Sequence, residues 1–474
     1  MSDMSPEEYR RFAHQVSDWI ADYLRDIREY PVLPAIQPGQ LSASLPESAP
    51  DQGESMDAIL RDFRDLIVPA NTHWNHPRFH GYFSVSASCP GILAETLVAA
   101  LNTNGMVWKS NPASTELEQR VLAWLRDWLG LPQDNFGLIH DTASISTMHA
   151  LGAAREYKDP DTRENGAKPG LVIYTSAHAH SSVEKSAMAL GFGRKYIRAI
   201  DVDEQFRMSP QSLREAIEQD IAAGLTPCCI VPTVGTTGVT AIDPVREIAR
   251  IAAEHDCWLH VDAAYGGIAA ILPEYRHLLD GAELAHSLVV NPHKWLFTPI
   301  DCSVLYTRRP DIMRRAYSLV PEFLRTQQDE IAANHMDYAV ALGRRFRSLK
   351  LWFVMRYFGK ERAAAIIRSH IEYAKKLAKW IEEDDRFELS APVTLALVCF
   401  RFKEGDEATK ALMDQVNASG KAFLSHTTLN GRFVIRCSIG HVRATEADVE
   451  ATWSAILQAV PAMAQLGLRT EAPQ

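Results

Sequence analysis

Residues 287–297 read SLVVNPHKWLF and combine the pattern of a buried strand with one charged side chain. Val289 and Val290 precede Lys294 and Trp295 follows it, so a strongly hydrated ammonium group lies within an apolar run. Lysine is rarely buried unless another group pairs with it or bonds to it covalently. The first question that this sequence raises is therefore which group is the partner of Lys294.

Similar apolar runs occur upstream, and each is followed by polar or glycine-rich residues and then by a helical pattern. The runs are GLVIYTS (170–176), CCIVPTV (228–234), CWLHVDA (257–263) and SLVVNP (287–292). Alternation of short apolar runs with helical segments is typical of a mostly parallel α/β sheet. We therefore predict a large α/β domain over residues 86–360.

The segments on either side of this region have different patterns. Residues 6–30 carry apolar side chains at helical spacing, as do residues 56–67, with a proline-rich loop between them. We read residues 1–85 as an N-terminal helical arm. Residues 361–474 contain two further strand candidates flanked by helices and are predicted to form a small C-terminal α/β domain. These candidates are LALVCFRF (395–402) and FVIRCSIG (433–440).

Composition narrows the function classes. The 474 residues are 46% hydrophobic and 23% charged, with a net charge of -10 and no basic block longer than RRFR (344–347), which argues against a nucleic-acid or anionic-membrane surface. No run of about 18 uncharged apolar residues occurs, and the acidic, polar N-terminus is unlike a signal peptide, so we expect a cytoplasmic protein. The seven scattered cysteines suggest neither a disulfide framework nor a metal site.

Three polar residues follow apolar runs at the predicted carboxyl edge of the sheet, where open α/β sheets bind ligands. They are Thr237 in VPTVGTTG, Asp262 in HVDAAYGG and Lys294 in NPHKW. An aspartate that holds a cationic ring nitrogen and a lysine that forms a Schiff base are the pair that pyridoxal phosphate enzymes use. Taken alone, the same two residues would equally suit a buried ion pair without a catalytic role.

The surrounding motifs resemble the pyridoxal-phosphate-dependent group II amino-acid decarboxylases, and among them the aromatic L-amino-acid decarboxylases. The matching segments are HWNHPRFHGYF (73–83), NPASTELE (111–118), AHSSVEK (179–185), VGTTG (234–238), WLHVDAAYGG (258–267), EYRHLLDGAELAHS (274–287), NPHKW (291–295) and LGRRFRSLKLWFVMRYFG (342–359). The resemblance implies an α/β fold of fold-type I with a large mostly parallel sheet domain, an N-terminal arm used in dimerisation and a small C-terminal α/β domain.

The resemblance also implies pyridoxal 5'-phosphate as cofactor and assigns roles around it. Lys294 would carry the Schiff base, and Asp262 would pair with the pyridinium nitrogen. Ala264 would pack on one ring face and His180 would stack on the other. The remaining cofactor contacts that it implies are Ala143 and Ser144 at a helix N-terminus, Thr237, Asn291 and His293.

For the substrate, the resemblance implies an aromatic pocket whose choice among Phe, Tyr, Trp and dopa stays open. The residues expected to line it are Trp74, Tyr82, Phe83, Val85, Asn104, Met106 and Gly343. Val85 stands where many dopa-using members have a hydroxyl residue, so we expect the pocket to prefer rings without a catechol. The segment NTNGMVW (102–108) is expected to reach the neighbouring subunit's pocket, which makes the protein a homodimer with active sites at the interface.

The product depends on the loop LVPEFLRT (319–326), which resembles the mobile loop that closes over the active site in these decarboxylases. Family decarboxylases have a tyrosine where this chain has Phe323, and that hydroxyl is the expected general acid. Without it, the quinonoid intermediate could react with dioxygen, as in aromatic acetaldehyde synthases, giving an aldehyde, ammonia and hydrogen peroxide in addition to carbon dioxide. Alternatively, Phe323 is a loop anchor and an amine is released, with Tyr317 or Tyr338 as possible substitutes for the missing hydroxyl.

Other function classes fit less well. A binding or scaffold protein would have no use for Lys294, Asp262 and His180 together. A desulfurase would need a cysteine on a mobile loop, whereas the cysteines here lie mostly in apolar runs. Glutamate or histidine decarboxylation would not require the aromatic pocket residues.

Overall fold

The computed structural model describes residues 3–319 and 332–465. Its helices are α1 (Pro6–Asp26), α2 (Gln40–Ser44), α3 (Met56–Asp62), α4 (Cys89–Leu101), α5 (Pro112–Leu129), α6 (Ala143–Lys158), α7 (Thr162–Asn165), α8 (Ser182–Ala189), α9 (Pro210–Ala222), α10 (Val245–Glu254), α11 (Pro292–Trp295), α12 (Pro310–Tyr317), α13 (Ser348–Glu382), α14 (Asp406–Ala418) and α15 (Glu446–Gln465).

The strands form two sheets. They are β1 (Phe136–His140), β2 (Leu171–Ser176), β3 (Ile197–Ile200), β4 (Thr226–Val231), β5 (Trp258–Asp262), β6 (Ser287–Val290), β7 (Ser303–Thr307), β8 (Phe387–Leu389), β9 (Leu397–Phe402), β10 (Ser425–Leu429) and β11 (Arg432–Ser438). Each of the apolar runs that the sequence marked as a strand overlaps one of these elements. The strands β3 and β7 were not predicted.

The large sheet has the strand order β1-β7-β6-β5-β4-β2-β3. The neighbours from β6 to β3 pair in parallel, whereas β7 pairs antiparallel with both β6 and β1. The strand β4 shows why the runs are apolar throughout: Ile230 joins one buried cluster, and Cys229 and Val231 join another on the opposite face. The prediction of a mostly parallel sheet is confirmed, and both of its faces are covered.

The small sheet has the order β10-β11-β9-β8 and is antiparallel throughout. Helices α13 and α14 pack against it. The sequence predicted only its two central strands, because these have the strongest apolar runs. The edge strand β10 (SHTTL) alternates buried and exposed residues, which gives it a weaker apolar signal.

Local features of the chain explain where the first helix of the N-terminal arm begins and why helix α13 is interrupted near the second predicted domain boundary. Helix α1 begins at a capping box in which the Ser5 side chain accepts from the Glu8 amide and the Glu8 carboxylate accepts from the Ser5 amide. Helix α13 continues across the predicted boundary at residue 360, but Gly359 interrupts it with φ 63° and ψ 170°, a conformation that favours glycine. The domain boundaries themselves stay predictions.

Within the part of the chain that the structure describes, no helix combines the length and the apolar character needed to cross a bilayer.

Candidate active site

The predicted site residues meet at the carboxyl edge of the large sheet. Asp262 is the last residue of β5, and Lys294 lies in the short helix α11 that directly follows β6. The two strands pair in parallel with Asp262 opposite Val289, so their ends open onto the same side. Between them lies a cavity of about 150 Å³, here named the inner cavity. Its lining residues are Phe83, Thr142, Ala143, Ser144, His180, Ser182, Thr233, Gly235, Thr237, Asp262, Ala264, Tyr265, Asn291, His293 and Lys294.

Asp262 is held rigidly at this edge. Its backbone amide donates to Pro232 O at 2.9 Å, and its carbonyl accepts from Val234 N at 2.8 Å. The side chain is buried, and Oδ1 accepts a hydrogen bond from Ala264 N at 3.1 Å. Because Ala264 is the residue two positions on, this contact fixes the direction of the carboxylate as the chain turns away from the strand.

Lys294 is partly buried, and burial lowers the pKa of its ammonium group, while the negative charge of Asp262 acts in the opposite direction. A lowered pKa increases the fraction of neutral, nucleophilic amine. Among the described residues, Lys294 forms no ion pair, and the inner cavity separates it from Asp262. The structure therefore does not support the alternative that Lys294 and Asp262 form a structural ion pair.

The residues just before Lys294 also face the inner cavity. His293 Nδ1 accepts from Cys302 N at 2.9 Å, and burial followed by the nearby Lys294 charge lowers the pKa of His293 to about 3. Its ring is therefore neutral, with the proton on Nε2. Asn291 is buried, and its Oδ1 has no hydrogen-bond partner among the described residues. A buried carbonyl oxygen without a partner indicates a place for a donor that belongs to a ligand.

The opposite wall is the N-terminus of α6, a helix of 16 residues. Its N-cap is Thr142, and no side chain of the described residues caps it. The helix begins at Ala143 and Ser144, whose backbone amides have no i-4 carbonyl to donate to, and a free helix N-terminus favours an anionic group. Thr233 contributes a second buried polar atom without a partner, Oγ1, to the same cavity.

His180 lies on the loop between β2 and α8, where it lines the inner cavity. Its Nδ1 accepts from the Ser182 amide at 3.2 Å and lies 2.8 Å from Ser182 Oγ. This acceptor role leaves the proton of the neutral ring on Nε2. The His180 side chain is exposed, but the protein atoms around it partly desolvate the ring, and this effect, followed by the positive charge of Lys294, lowers the pKa of His180 and favours the neutral form.

Aromatic rings form the outer part of the site. Phe83 is buried and stacks on Tyr265 at a centroid distance of 3.8 Å, and Lys294 Nζ lies 5.3 Å from the Phe83 centroid. Trp74 and Tyr82 stack on each other at 5.5 Å and are both partly open to solvent. They border a second space of about 670 Å³, here named the outer cavity. Its lining residues are Tyr23, Asn71, Thr72, Trp74, Asn75, Tyr82, Phe83, Val85, Ala87, His180, Thr237, Lys294 and Ile300.

The other three residues expected at the substrate line neither cavity of their own chain. Asn104 lies near both of the others: its Nδ2 is 3.7 Å from Met106 Sδ, and a Cβ added at Gly343 would lie 3.9 Å from the same nitrogen. Asn104 is exposed. Its Oδ1 accepts from Arg344 N at 3.0 Å, so this group of residues is ordered without closing the site of its own subunit.

Neither tyrosine considered as a substitute acid lines the inner or the outer cavity. The Tyr317 hydroxyl donates to the His149 carbonyl at 3.0 Å, and burial raises its pKa. Tyr338 packs against Phe136 with ring centroids 4.8 Å apart, and burial raises its pKa as well. Phe323 lies outside the described residues.

The structure adds lining residues that the sequence did not single out. Thr142, Thr233 and Ser182 border the inner cavity, and Asn75 and Tyr23 border the outer one. Asn75 lies inside the segment HWNHPRFHGYF, and Thr233 directly precedes the segment VGTTG, both of which carry the family resemblance. A threonine or an asparagine in or beside such a motif is indistinguishable from a turn or capping residue until its burial and partners are known.

The fold and the site together define a class, the pyridoxal-phosphate-dependent enzymes that hold their cofactor at the carboxyl edge of a mostly parallel sheet. The family model described as "Pyridoxal-dependent decarboxylase conserved domain" matches residues 38–403. The chain is 40% identical over 96% of its length to a phenylacetaldehyde synthase of Arabidopsis thaliana, 96% of which is covered. It is 39% identical over 95% of its length to tryptophan decarboxylase 2 of Oryza sativa subsp. japonica, 94% of which is covered. The chain belongs to the pyridoxal-dependent decarboxylase family.

Solved structures agree with this assignment. The crystal structure of Oryza sativa TDC with PLP and tryptamine superposes with a TM-score of 0.95 at 35% identity, covering 98% of this chain and 99% of that one. Rhodiola rosea 4-hydroxyphenylacetaldehyde synthase gives a TM-score of 0.91 at 35% identity, covering 98% and 100%. The fold is therefore that of these enzymes over nearly the whole chain.

The residues present fit pyridoxal 5'-phosphate, the cofactor of this family. A lysine with a lowered pKa, an aspartate on the far side of the cavity and an uncapped helix N-terminus match its aldehyde, its ring nitrogen and its phosphate. The unpartnered Asn291 Oδ1 and Thr233 Oγ1 belong to residues that line the same space.

Proposed function

We propose that the protein decarboxylates an aromatic L-amino acid with pyridoxal 5'-phosphate as cofactor. One observation carries this proposal: the inner cavity with its cofactor-type residues opens onto an outer cavity walled by aromatic rings, and Phe83, His180, Thr237 and Lys294 border both. The family relatives named for aromatic amino acids support the same substrate class.

In this proposal, Lys294 holds the aldehyde carbon and Asp262 holds the ring nitrogen. The N-terminus of α6 with Ser144 holds the phosphate. The bound cofactor would supply an electron sink for the bond that is broken when carbon dioxide leaves. The charge of Asp262 keeps the ring nitrogen protonated, which favours that role.

The other residues of the site would position the cofactor and the substrate and shield them from water. Ala264 is small enough to let a ring approach closely, and His180 faces the reacting carboxylate with a proton on Nε2. Thr237, Asn291 and His293 complete the cofactor contacts. Phe83 and Val85 would shield the substrate ring from water, and Trp74 and Tyr82, which are partly open to solvent, would border it.

The test is to incubate the purified protein with pyridoxal 5'-phosphate and each of Phe, Tyr, Trp and dopa, in air. We expect carbon dioxide release and a matching amine or aldehyde. Lys294→Ala should lower the rate at least ~10³-fold and remove the visible absorbance of covalently held cofactor. The matched control Lys410→Ala, on the exposed face of α14, should keep both. Lack of carbon dioxide release with all four amino acids would refute the proposal.

A second product class has support in the sequence. Phe323 replaces the loop tyrosine, and neither Tyr317 nor Tyr338 lines the site of its own chain. We propose decarboxylation coupled to oxidative deamination as the alternative outcome. It would consume one dioxygen, which is reduced to hydrogen peroxide, and one water, which supplies the aldehyde oxygen, and would yield the aldehyde, ammonia, hydrogen peroxide and carbon dioxide. An oxygen electrode distinguishes it from amine release.

We propose further that the protein is a homodimer with each active site at the interface. Helix α4 has three exposed leucines at i, i+4 and i+8, Leu93, Leu97 and Leu101, whose exposed fractions are 63%, 47% and 56%. An apolar stripe of this kind favours burial against a second copy. Tyr9 and Val16 of the N-terminal arm are exposed as well. A monomer in sedimentation equilibrium with cofactor present would contradict this proposal.

We also place the protein in the cytoplasm. All seven cysteines are free, and six of them are buried, which suits a reducing compartment. Fractionation of cells with an antibody against the chain would test this location.

A further inference from the structure

The outer cavity is bordered by the side-chain amide of Asn75, whose orientation is fixed by hydrogen bonds to its oxygen. Asn75 lines this cavity, and its Oδ1 accepts two hydrogen bonds, from Ala87 N at 3.0 Å and from His441 Nε2 at 3.0 Å. The two donors occupy the oxygen, so the Nδ2 group points away from them. No described residue accepts a hydrogen bond from Asn75 Nδ2.

The orientation does not depend on a choice of histidine tautomer. His441 Nδ1 accepts from the Arg443 amide at 3.0 Å, so its ring proton is on Nε2, the atom that faces Asn75. Burial lowers the pKa of His441 well below its ordinary value, so the ring stays neutral. The donor at Nε2 is therefore present throughout the working pH range.

His441 is held in turn by a chain of hydrogen bonds that starts at Trp295, the residue next to Lys294. Trp295 Nε1 donates to His370 Nδ1 at 3.1 Å, and His370 Nε2 donates to the His441 carbonyl at 3.0 Å. Trp295 and His370 are completely buried, and burial lowers the pKa of His370 to about 4. This chain of hydrogen bonds connects the residue next to Lys294 to the amide in the outer cavity.

Other side chains at the outer cavity also carry donors, such as Asn71, Thr72, Trp74 and Tyr82, but among the described residues no side-chain hydrogen bond fixes their direction as two bonds fix that of Asn75. The Tyr23 hydroxyl is 2.8 Å from His73 Nδ1 and is used in that contact. Val85 offers only methyl groups. A bare aromatic ring next to Asn75 would offer its N–H groups no acceptor, whereas a ring that carries an oxygen would accept from one of them.

We propose that Asn75 is a specificity-determining residue that donates from Nδ2 to a ring hydroxyl, so that the preferred substrate class is a monohydroxylated phenolic amino acid such as tyrosine. This inference rests on the proposed function, because it assumes that the outer cavity holds the substrate ring. It adds a physical reason why the site would prefer one aromatic amino acid over the others. A single ring oxygen accepts one N–H of Asn75, while the second hydroxyl of a catechol would find no partner at Val85.

The experiment compares the wild type with Asn75→Leu and Asn75→Asp. Leucine has a similar volume and no donor. Aspartate keeps an acceptor for Ala87 N and His441 Nε2, which preserves the local structure, and presents an oxygen where the amide nitrogen was. Melting temperature and cofactor absorbance report whether each variant is folded and loaded.

For turnover, we expect the wild type to prefer tyrosine over phenylalanine in kcat/KM by about tenfold, and Asn75→Leu to reduce this ratio to within about twofold. For equilibrium binding of the amines, tyramine should bind the wild type more tightly than phenethylamine, with the difference lost in Asn75→Leu. Asn75→Asp should weaken O-methyltyramine, whose ether oxygen can only accept, by about tenfold while phenethylamine changes by less than about twofold.

The outcomes separate the two proposals. If the wild type releases no carbon dioxide from any aromatic amino acid, the proposed function fails, and the amine-binding comparison still decides the role of Asn75. If turnover occurs but Asn75→Leu leaves the tyrosine-to-phenylalanine ratio and the tyramine-to-phenethylamine ratio unchanged, the inference about Asn75 is wrong and the proposed function stands. If Asn75→Leu does not fold, the binding of O-methyltyramine to Asn75→Asp decides: weakened binding supports the donor role of Asn75, and unchanged binding refutes it.

Discussion

The inner cavity and the segment around Asn104 differ in how much of the site a single chain builds. The inner cavity is lined by residues that one chain brings together, because β5 and β6 are neighbours in a parallel sheet and both end at the same edge. Asn104 contacts Met106 and lies next to Gly343, and none of the three residues lines the inner or the outer cavity of its own chain. In the proposed homodimer, this difference would place the cofactor residues within one chain and the closure of the substrate pocket at the interface between two chains.

The largest expected effect tests this difference directly. Lys294→Ala and Met106→Asp should each be nearly inactive as homodimers, the first through lost chemistry and the second through a charge placed against the substrate ring. When they are co-expressed, about half of the dimers are mixed, and each mixed dimer has one intact site if Met106 serves the partner's Lys294. We expect recovery of about one quarter of wild-type activity, from below about 1% for either variant alone.

If both residues served the same subunit's site, every site in the mixed dimers would be defective and no activity would return. The required measurement is the rate of carbon dioxide release from the co-expressed protein and from doubly tagged, affinity-purified mixed dimers. Sedimentation of each parent variant as a dimer is the necessary control.

A second test breaks the inner cavity while leaving the outer region intact. Asp262→Asn keeps the shape and can still accept from Ala264 N, but it removes the negative charge facing the cavity. We expect kcat to fall about 10²-fold with a much smaller change in KM, because the charge acts on the cofactor ring rather than on substrate binding. The control Asp414→Asn, on exposed α14, should behave as the wild type. An unchanged kcat would show that Asp262 is only a structural residue.

The third test concerns the product. Phe323→Tyr restores the loop hydroxyl, and we expect it to raise the amine-to-aldehyde ratio at least tenfold, which is about 1.4 kcal/mol in the partition of the intermediate. Chromatography of amines and aldehydes together with oxygen uptake measures this ratio. A wild type that releases only amine, without oxygen uptake, would contradict the premise.

The regions also differ in how far the sequence could predict them. The strands β2, β4, β5 and β6 were predictable because their runs are buried on both faces and apolar throughout. The strand β3 has only four residues and a partly exposed edge position, and β7 pairs antiparallel after a loop, so neither produced a distinct signal. The position of Lys294 and Asp262 followed from strand ends alone.

Residues whose role depends on unsatisfied polar atoms were beyond sequence reasoning. Thr233 Oγ1 and Asn291 Oδ1 are notable only because they are buried without partners among the described residues, and Asn75 only because two donors fix its amide. Asn291 was found through its motif and Thr233 was not. Whether a polar atom has a partner is decided only when distant segments pack together, as residues 75 and 441 do.

The smallest expected effect concerns Val85, which lines the outer cavity. Its methyl groups cannot bond a catechol, so a second ring hydroxyl loses water without gaining a partner, and the wild type should turn over dopa no faster than tyrosine. Val85→Thr exchanges a methyl for a hydroxyl at nearly constant volume and should raise the dopa-to-tyrosine ratio of kcat/KM about fivefold. Val85→Ala, which enlarges the pocket without adding a hydroxyl, is the matched control and should not raise this ratio. If alanine raises it as much as threonine does, space rather than hydrogen bonding limits catechols, and if the wild type already favours dopa strongly, Val85 does not set this preference at all.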